Sequence, residues 1–100
     1  LVNRANINYR KITTTSATIL VDDLFIEVNV ANTVNLTLPK SPPIGTNFII
    51  KDSSGNASTN NITVTANTGN TVQGSANTAI TSNFGDVKVI YDGTSKWLII

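Results

Sequence analysis

The sequence contains no cysteine, no histidine and no methionine in its 100 residues. Without cysteine there is no disulfide framework, no thiolate nucleophile and no redox compartment to be read from the chain. Without histidine, the commonest general base and the commonest metal ligand are both missing. Charge is scarce too, with seven basic and six acidic residues and a net charge of +1. The basic residues form no stripe of the kind that tracks a nucleic-acid backbone. No cationic amphipathic segment suits a membrane surface, and no window approaches the roughly 18 consecutive apolar residues of a spanning helix. Neither nucleic acid nor membrane insertion is expected. Because the chain opens on Leu1 without any methionine, it is expected to be a piece of a longer protein. Residues 1–8 then serve as a linker, and 9–100 form one domain of ordinary size.

What fills the chain is Asn (14) and Thr (15), with 8 Ser, 12 Ile and 9 Val. β-branched side chains suit the pleated surface of a strand, and Asn and Ser favour turns by bonding their own backbone. Period-2 alternation recurs along the sequence and helical periodicity does not. "LFIEVNV" sets Leu24, Ile26, Val28 and Val30 against Glu27 and Asn29. "VNLTLP" sets Val34, Leu36 and Leu38 against Asn35 and Thr37, and "NITVTA" sets Ile62, Val64 and Ala66 against Asn61, Thr63 and Thr65. Each reads as a half-buried antiparallel strand, with 24–30 and 33–38 joined as a tight hairpin through "AN". "ATILV" at 17–21 and "NFIIKD" at 47–52 alternate weakly, which predicts strands covered on both faces. "PKSPPIG", "DSSGNASTNN", "NTGN" and "YDGTSK" punctuate them as turns and loops. The sum is an all-β, antiparallel sandwich of eight to ten short strands.

The candidate chemistry is thin. The acidic set is Asp22, Asp23, Glu27, Asp52, Asp86 and Asp92. Asp22 and Asp23 sit at a corner, Asp52 opens a polar loop and Asp92 heads an Asp-Gly turn, all of which is ordinary turn chemistry. No catalytic residue, cofactor or metal is expected. "DSSGN" starts like a calcium loop but lacks the spaced acidic ligands and the distal Glu. "NLT", "NAS" and "NIT" are possible glycosylation triplets, expected by chance in so Asn- and Thr-rich a chain. Among the aromatics, Phe48 and Trp97 read as core, while Tyr91 and Phe84 border turns and are the better candidates for exposure, although packing is the expectation there too.

The chain ends on "KWLII". Trp97 and Ile99 point one way and Leu98 and Ile100 the other, so both faces of the last strand are apolar. One face fills the core, and the other calls for a partner subunit or, as the plainer alternative, for a loop of the same chain such as 39–45. Trp97, Leu98, Ile99 and Ile100 are thus the expected oligomer interface. Loops rich in neutral amides offer donors and acceptors suited to sugar hydroxyls, which makes Asn56, Asn60, Asn67, Asn70 and Tyr91 the candidate ligand-binding residues.

The run "LTLPKSPPIGTNFIIKDSSGNASTNNITVTANTGNTVQG", followed by "FGDVKVIYDGTSKWLII", resembles the head domains at the C-termini of trimeric viral fibres. Similar stretches occur in phage tail fibres and in the collagen-like fibre proteins of giant viruses and virophages. The resemblance covers residues 33–100. It implies a jelly-roll-like sandwich, assembled as a homotrimer at a fibre tip on the virion surface, with a shaft before residue 9. It also implies attachment to a host-surface glycan or protein receptor, or to a partner virus. The residues alone leave open a purely structural trimerisation cap and a monomeric carbohydrate-binding or adhesin domain.

Overall fold

The computed structural model describes residues 8–100, and every element it contains is a strand. In chain order they are β1 (Tyr9–Ile12), β2 (Ser16–Thr18), β3 (Phe25–Val28), β4 (Val34–Thr37), β5 (Asn47–Asp52), β6 (Ile62–Thr65), β7 (Thr71–Val72), β8 (Asn77–Ile80), β9 (Asp86–Tyr91) and β10 (Lys96–Ile99). They form two sheets, one of six strands in the order β1-β3-β5-β9-β10-β7 and one of four in the order β2-β4-β6-β8. The all-β, sandwich-like architecture read from composition is present.

The pairing direction is not the expected one. Among the described residues five ladders are parallel: β1 with β3, β3 with β5, β2 with β4, β4 with β6, and β7 with β10. Only β5–β9, β9–β10 and β6–β8 run antiparallel. The first six strands alternate between the sheets, so the chain winds as a short coil. Each strand of one sheet serves as the crossover that two successive parallel strands of the other require. Strands β8 and β9 then close the coil by pairing antiparallel on β6 and β5. The expected hairpin of 24–30 with 33–38 does not form, since β3 and β4 lie in different sheets. The Ala31-Asn32 link carries the chain across the sandwich instead of back along it. A jelly roll needs two interlocked antiparallel Greek keys, and these mixed sheets have another strand order.

Within the strands the alternation was read correctly, but Leu24, expected inward, lies just ahead of β3 and is exposed. Ile26, Val28, Val34, Leu36, Leu38, Ile62 and Val64 all lie in one buried cluster, which Val87 and Val89 of β9 join. Phe48 and Tyr91 pack on Trp97 with ring centroids 5.6 and 5.1 Å away, and burying each such side chain contributes about 1.5–3 kcal/mol. Only the beginning of "ATILV" is strand. Ile19 is buried, but Leu20 and Val21 are exposed in the turn that follows, because Asp23 folds back to accept the Leu20 amide at 2.9 Å. "NFIIKD" fares better, as β5 is central in its sheet, with Phe48 and Ile50 fully buried and Ile49 and Lys51 half-buried. The expected linker falls outside the described residues except for Asn8. That residue precedes β1 and is tied to the start of β3, its carbonyl accepting the amides of Leu24 and Phe25.

Candidate functional site

The two outer faces differ in chemistry. Registers on the six-stranded sheet place Tyr9, Phe25, Ile49 and Lys88 in one cross-strand row, and Lys11, Glu27, Lys51 and Asp86 in another. The Tyr9 and Phe25 rings stack at 6.0 Å. Opposite charges alternate along the second row, which is the favourable arrangement for direct cross-strand neighbours, and Lys11 lies 3.8 Å from Glu27. Glu27 also accepts from the Ser53 hydroxyl at 2.7 Å and from the Tyr9 hydroxyl. Further along, Ile90 faces Leu98 across β9–β10, and the Ile100 amide bonds the Lys88 carbonyl. An apolar band of Tyr9, Phe25, Ile49, Ile90, Leu98 and Ile100 therefore crosses this face. Its members are half-buried to exposed, with Ile100 the most open at 70%.

The four-stranded sheet carries no charged residue in any strand. Its outward rows are Ser16, Asn35, Thr63 and Ala79, then Thr18, Thr37, Thr65 and Asn77. The Thr65 hydroxyl donates to Asn35 Oδ1 at 2.9 Å. Where β4 and β6 begin, Thr15, Thr33, Val34, Asn35 and Thr63 line an open groove of about 450 Å³, within the size range of small-ligand sites.

The residues expected to form the oligomer interface separate here. Trp97 is fully buried and belongs to the chain's own core, so it is not available to a partner. Leu98, Ile99 and Ile100 are exposed. The loop residues expected to bind ligand are mostly engaged inside the chain. Asn67 donates to the Leu38 carbonyl and accepts from Thr68 N–H. Asn70 is buried and accepts from the Ser41 hydroxyl at 3.2 Å, and Asn60 donates to the Ala31 carbonyl. The Asn56 carbonyl accepts the amides of Thr59 and Asn60. Tyr91, a candidate for exposure, is buried, and its hydroxyl accepts Ser95 N–H at 2.9 Å. It follows the inward positions Val87 and Val89, so strand period outweighs the nearby turn. Phe84, for which packing was expected, is exposed.

Asp52 is the one fully buried carboxylate. It accepts from the amides of Ser54, Gly55, Ala57 and Phe84 and from the Ser54 hydroxyl, at 2.8–3.2 Å. Burial pushes its pKa up, but these bonds, from the Ser54 hydroxyl and the Phe84, Ala57 and Ser54 amides, outweigh it and hold the carboxyl below its ordinary value. Its donors come from the 53–57 turn and from Phe84, so the residue clamps that loop to the 82–85 corner. Gly55 sits in that turn at φ +76°, and a Cβ there would lie 2.6 Å from the Phe84 ring.

The groove residues Thr15, Thr33, Asn35 and Thr63 were not singled out as a site by sequence reasoning. The outward polarity of Asn35 and Thr63 was legible in the alternation, but ligand binding was sought in loops. Among the described residues no group of three or more metal-ligating side chains converges. No protein-family model matches this sequence, and no curated protein is significantly similar to it.

Proposed function

We propose that this chain is a non-enzymatic head domain of a trimeric viral fibre, displayed at the fibre tip on the virion surface. It attaches there to a host or partner-virus surface through glycans. The observation that carries this reading is the apolar band on the outer face of the six-stranded sheet, ending in Leu98 and Ile100. An exposed apolar band on a small domain, broken here only by Lys88 between Ile49 and Ile100, marks an interaction surface. Three copies that turn this face inward would cover it and leave the uncharged sheet pointing out. Threefold display would also multiply a weak site into firm attachment. The order of sequence motifs over 33–100 supports the assignment to a fibre head.

The test is the solution mass by sedimentation equilibrium. The wild type is expected near three times the 10.6 kDa chain, and Leu98→Asp near one, because an unpaired charge in an apolar interface is costly. A wild-type mass near one chain removes the reading.

A further inference from the structure

We infer that the groove on the outer face of the four-stranded sheet, formed by Thr15, Thr33, Asn35 and Thr63, is the binding site for an uncharged, polyhydroxylated chain, a neutral glycan. The inference rests on the attachment reading above and moves the site from the loops to a sheet face.

Three observations carry it. The first is unused hydrogen-bonding capacity. Among the described residues the hydroxyls of Thr15, Thr33 and Thr63 form no side-chain hydrogen bond, and neither does the Asn35 amide nitrogen. Asn35 is nevertheless oriented, since Thr65 donates to its Oδ1 at 2.9 Å, and that bond leaves Nδ2 as the free donor. Each threonine hydroxyl can donate one hydrogen bond and accept others, which matches the dual character of a sugar hydroxyl. Among the loop asparagines, Asn67 and Asn60 spend side-chain groups on Leu38, Thr68 and Ala31. Asn70 is buried, with its Oδ1 on Ser41 and its Nδ2 unpartnered but out of reach of solvent. Only the Asn56 side chain keeps a comparable freedom.

The second is charge. Every charged residue that lies in a strand lies in the six-stranded sheet. An anionic or cationic ligand would find no counter-charge on the strands that carry the groove, whereas a neutral one loses nothing there. The third is shape and repeat. The groove is open, about 450 Å³, and a second outward row containing Thr18, Thr37 and Thr65 lies beside it on the same face. Neighbouring strands are spaced about 4.8 Å apart, so a linear chain laid across them meets a new hydroxyl or amide at each strand. β-branched threonine holds its hydroxyl in few rotamers, which lowers the entropy lost on binding.

The experiment is chemical-shift mapping of the ¹⁵N-labelled full chain with maltohexaose, cellohexaose and chitohexaose, and with dextran sulfate as the charged comparator. At least one neutral oligosaccharide is expected to move the Thr15, Thr33 and Thr63 amides and the Asn35 side-chain amide, with Asn56, Asn60, Asn67 and Asn70 unmoved. Thr33→Val and Thr63→Val, which keep the β-branched shape, are each expected to weaken that binding about 3- to 10-fold. Shifts confined to the loops or to the other sheet would overturn the site while leaving glycan attachment intact. Tighter binding of dextran sulfate would overturn its neutrality. No shift with any neutral oligosaccharide would overturn the inference outright. The trimeric assembly would then still stand or fall on its own solution mass.

Discussion

The two sheets share a core and the same strand grammar, yet their outer faces have opposite chemistry. The six-stranded sheet carries every strand-borne charge, set beside an apolar band from Tyr9 to Ile100. The outward strand positions of the four-stranded sheet carry hydroxyls and amides, apart from Ala79. Inward positions are alike because both sheets must fill one core. Outward positions answer to whatever meets them, and they differ. An apolar band flanked by alternating charges suits a protein partner, where burial supplies the energy and charge pairs fix the register. A neutral hydroxyl face gains little from burial and suits a ligand that exchanges hydrogen bonds with water on nearly equal terms.

The largest effect is expected where the comparison is broken altogether, by loosening the sandwich that carries both faces. Asp52→Ala leaves five buried or half-buried donors without their acceptor and is expected to cost about 3 kcal/mol, read from urea denaturation. The same carboxylate makes stability depend on pH. Its folded pKa lies below the unfolded value of about 3.9, so its contribution is complete above that value. The contribution is lost as pH falls through the folded pKa. Wild-type stability should therefore drop in acid, and Asp52→Asn should show a shallower drop.

The next effect sharpens the contrast between the faces. Thr37→Asp adds a charge to the uncharged sheet, as Leu98→Asp does to the apolar band. Only the latter is expected to change the sedimentation mass. Dissociation by Thr37→Asp would mean that the four-stranded face is the one covered. The smallest effect concerns the charge row itself. Lys11→Glu sets like charges opposite each other at Glu27 and should cost about 0.5 kcal/mol at low salt. In 1 M NaCl, where the screening length is about 3 Å, most of that difference should vanish.

Much of this was legible in the sequence, for a definable reason. Alternation reports which side chains are buried, and the inward residues of β3, β4 and β6 were identified from it. The same alternation is silent about pairing direction. Half-buried strands usually belong to antiparallel sheets, because parallel ones are normally covered on both faces by helices. Here the crossovers are strands of the opposite sheet, so parallel strands keep one wet face and read as antiparallel. The mistaken hairpin has the same origin, since a short link can cross a sandwich as well as reverse along one sheet. The loop asparagines misled for another reason. Turn chemistry and ligand chemistry use the same amide, and only the folded chain shows that Asn60, Asn67 and Asn70 already have partners. The groove brings together residues 15, 33, 35 and 63, a juxtaposition set by the parallel register of β2, β4 and β6.

The division of labour between the two faces is tested most directly by methyl NMR of the assembled protein with a soluble paramagnetic agent. If the six-stranded face is covered by copies and the four-stranded face points out, the methyls of Ile90, Leu98 and Ile100 should be shielded. Those of Thr33, Thr37 and Thr63 should lose intensity. Equal attenuation of both sets, or shielding of the threonines alone, would contradict it.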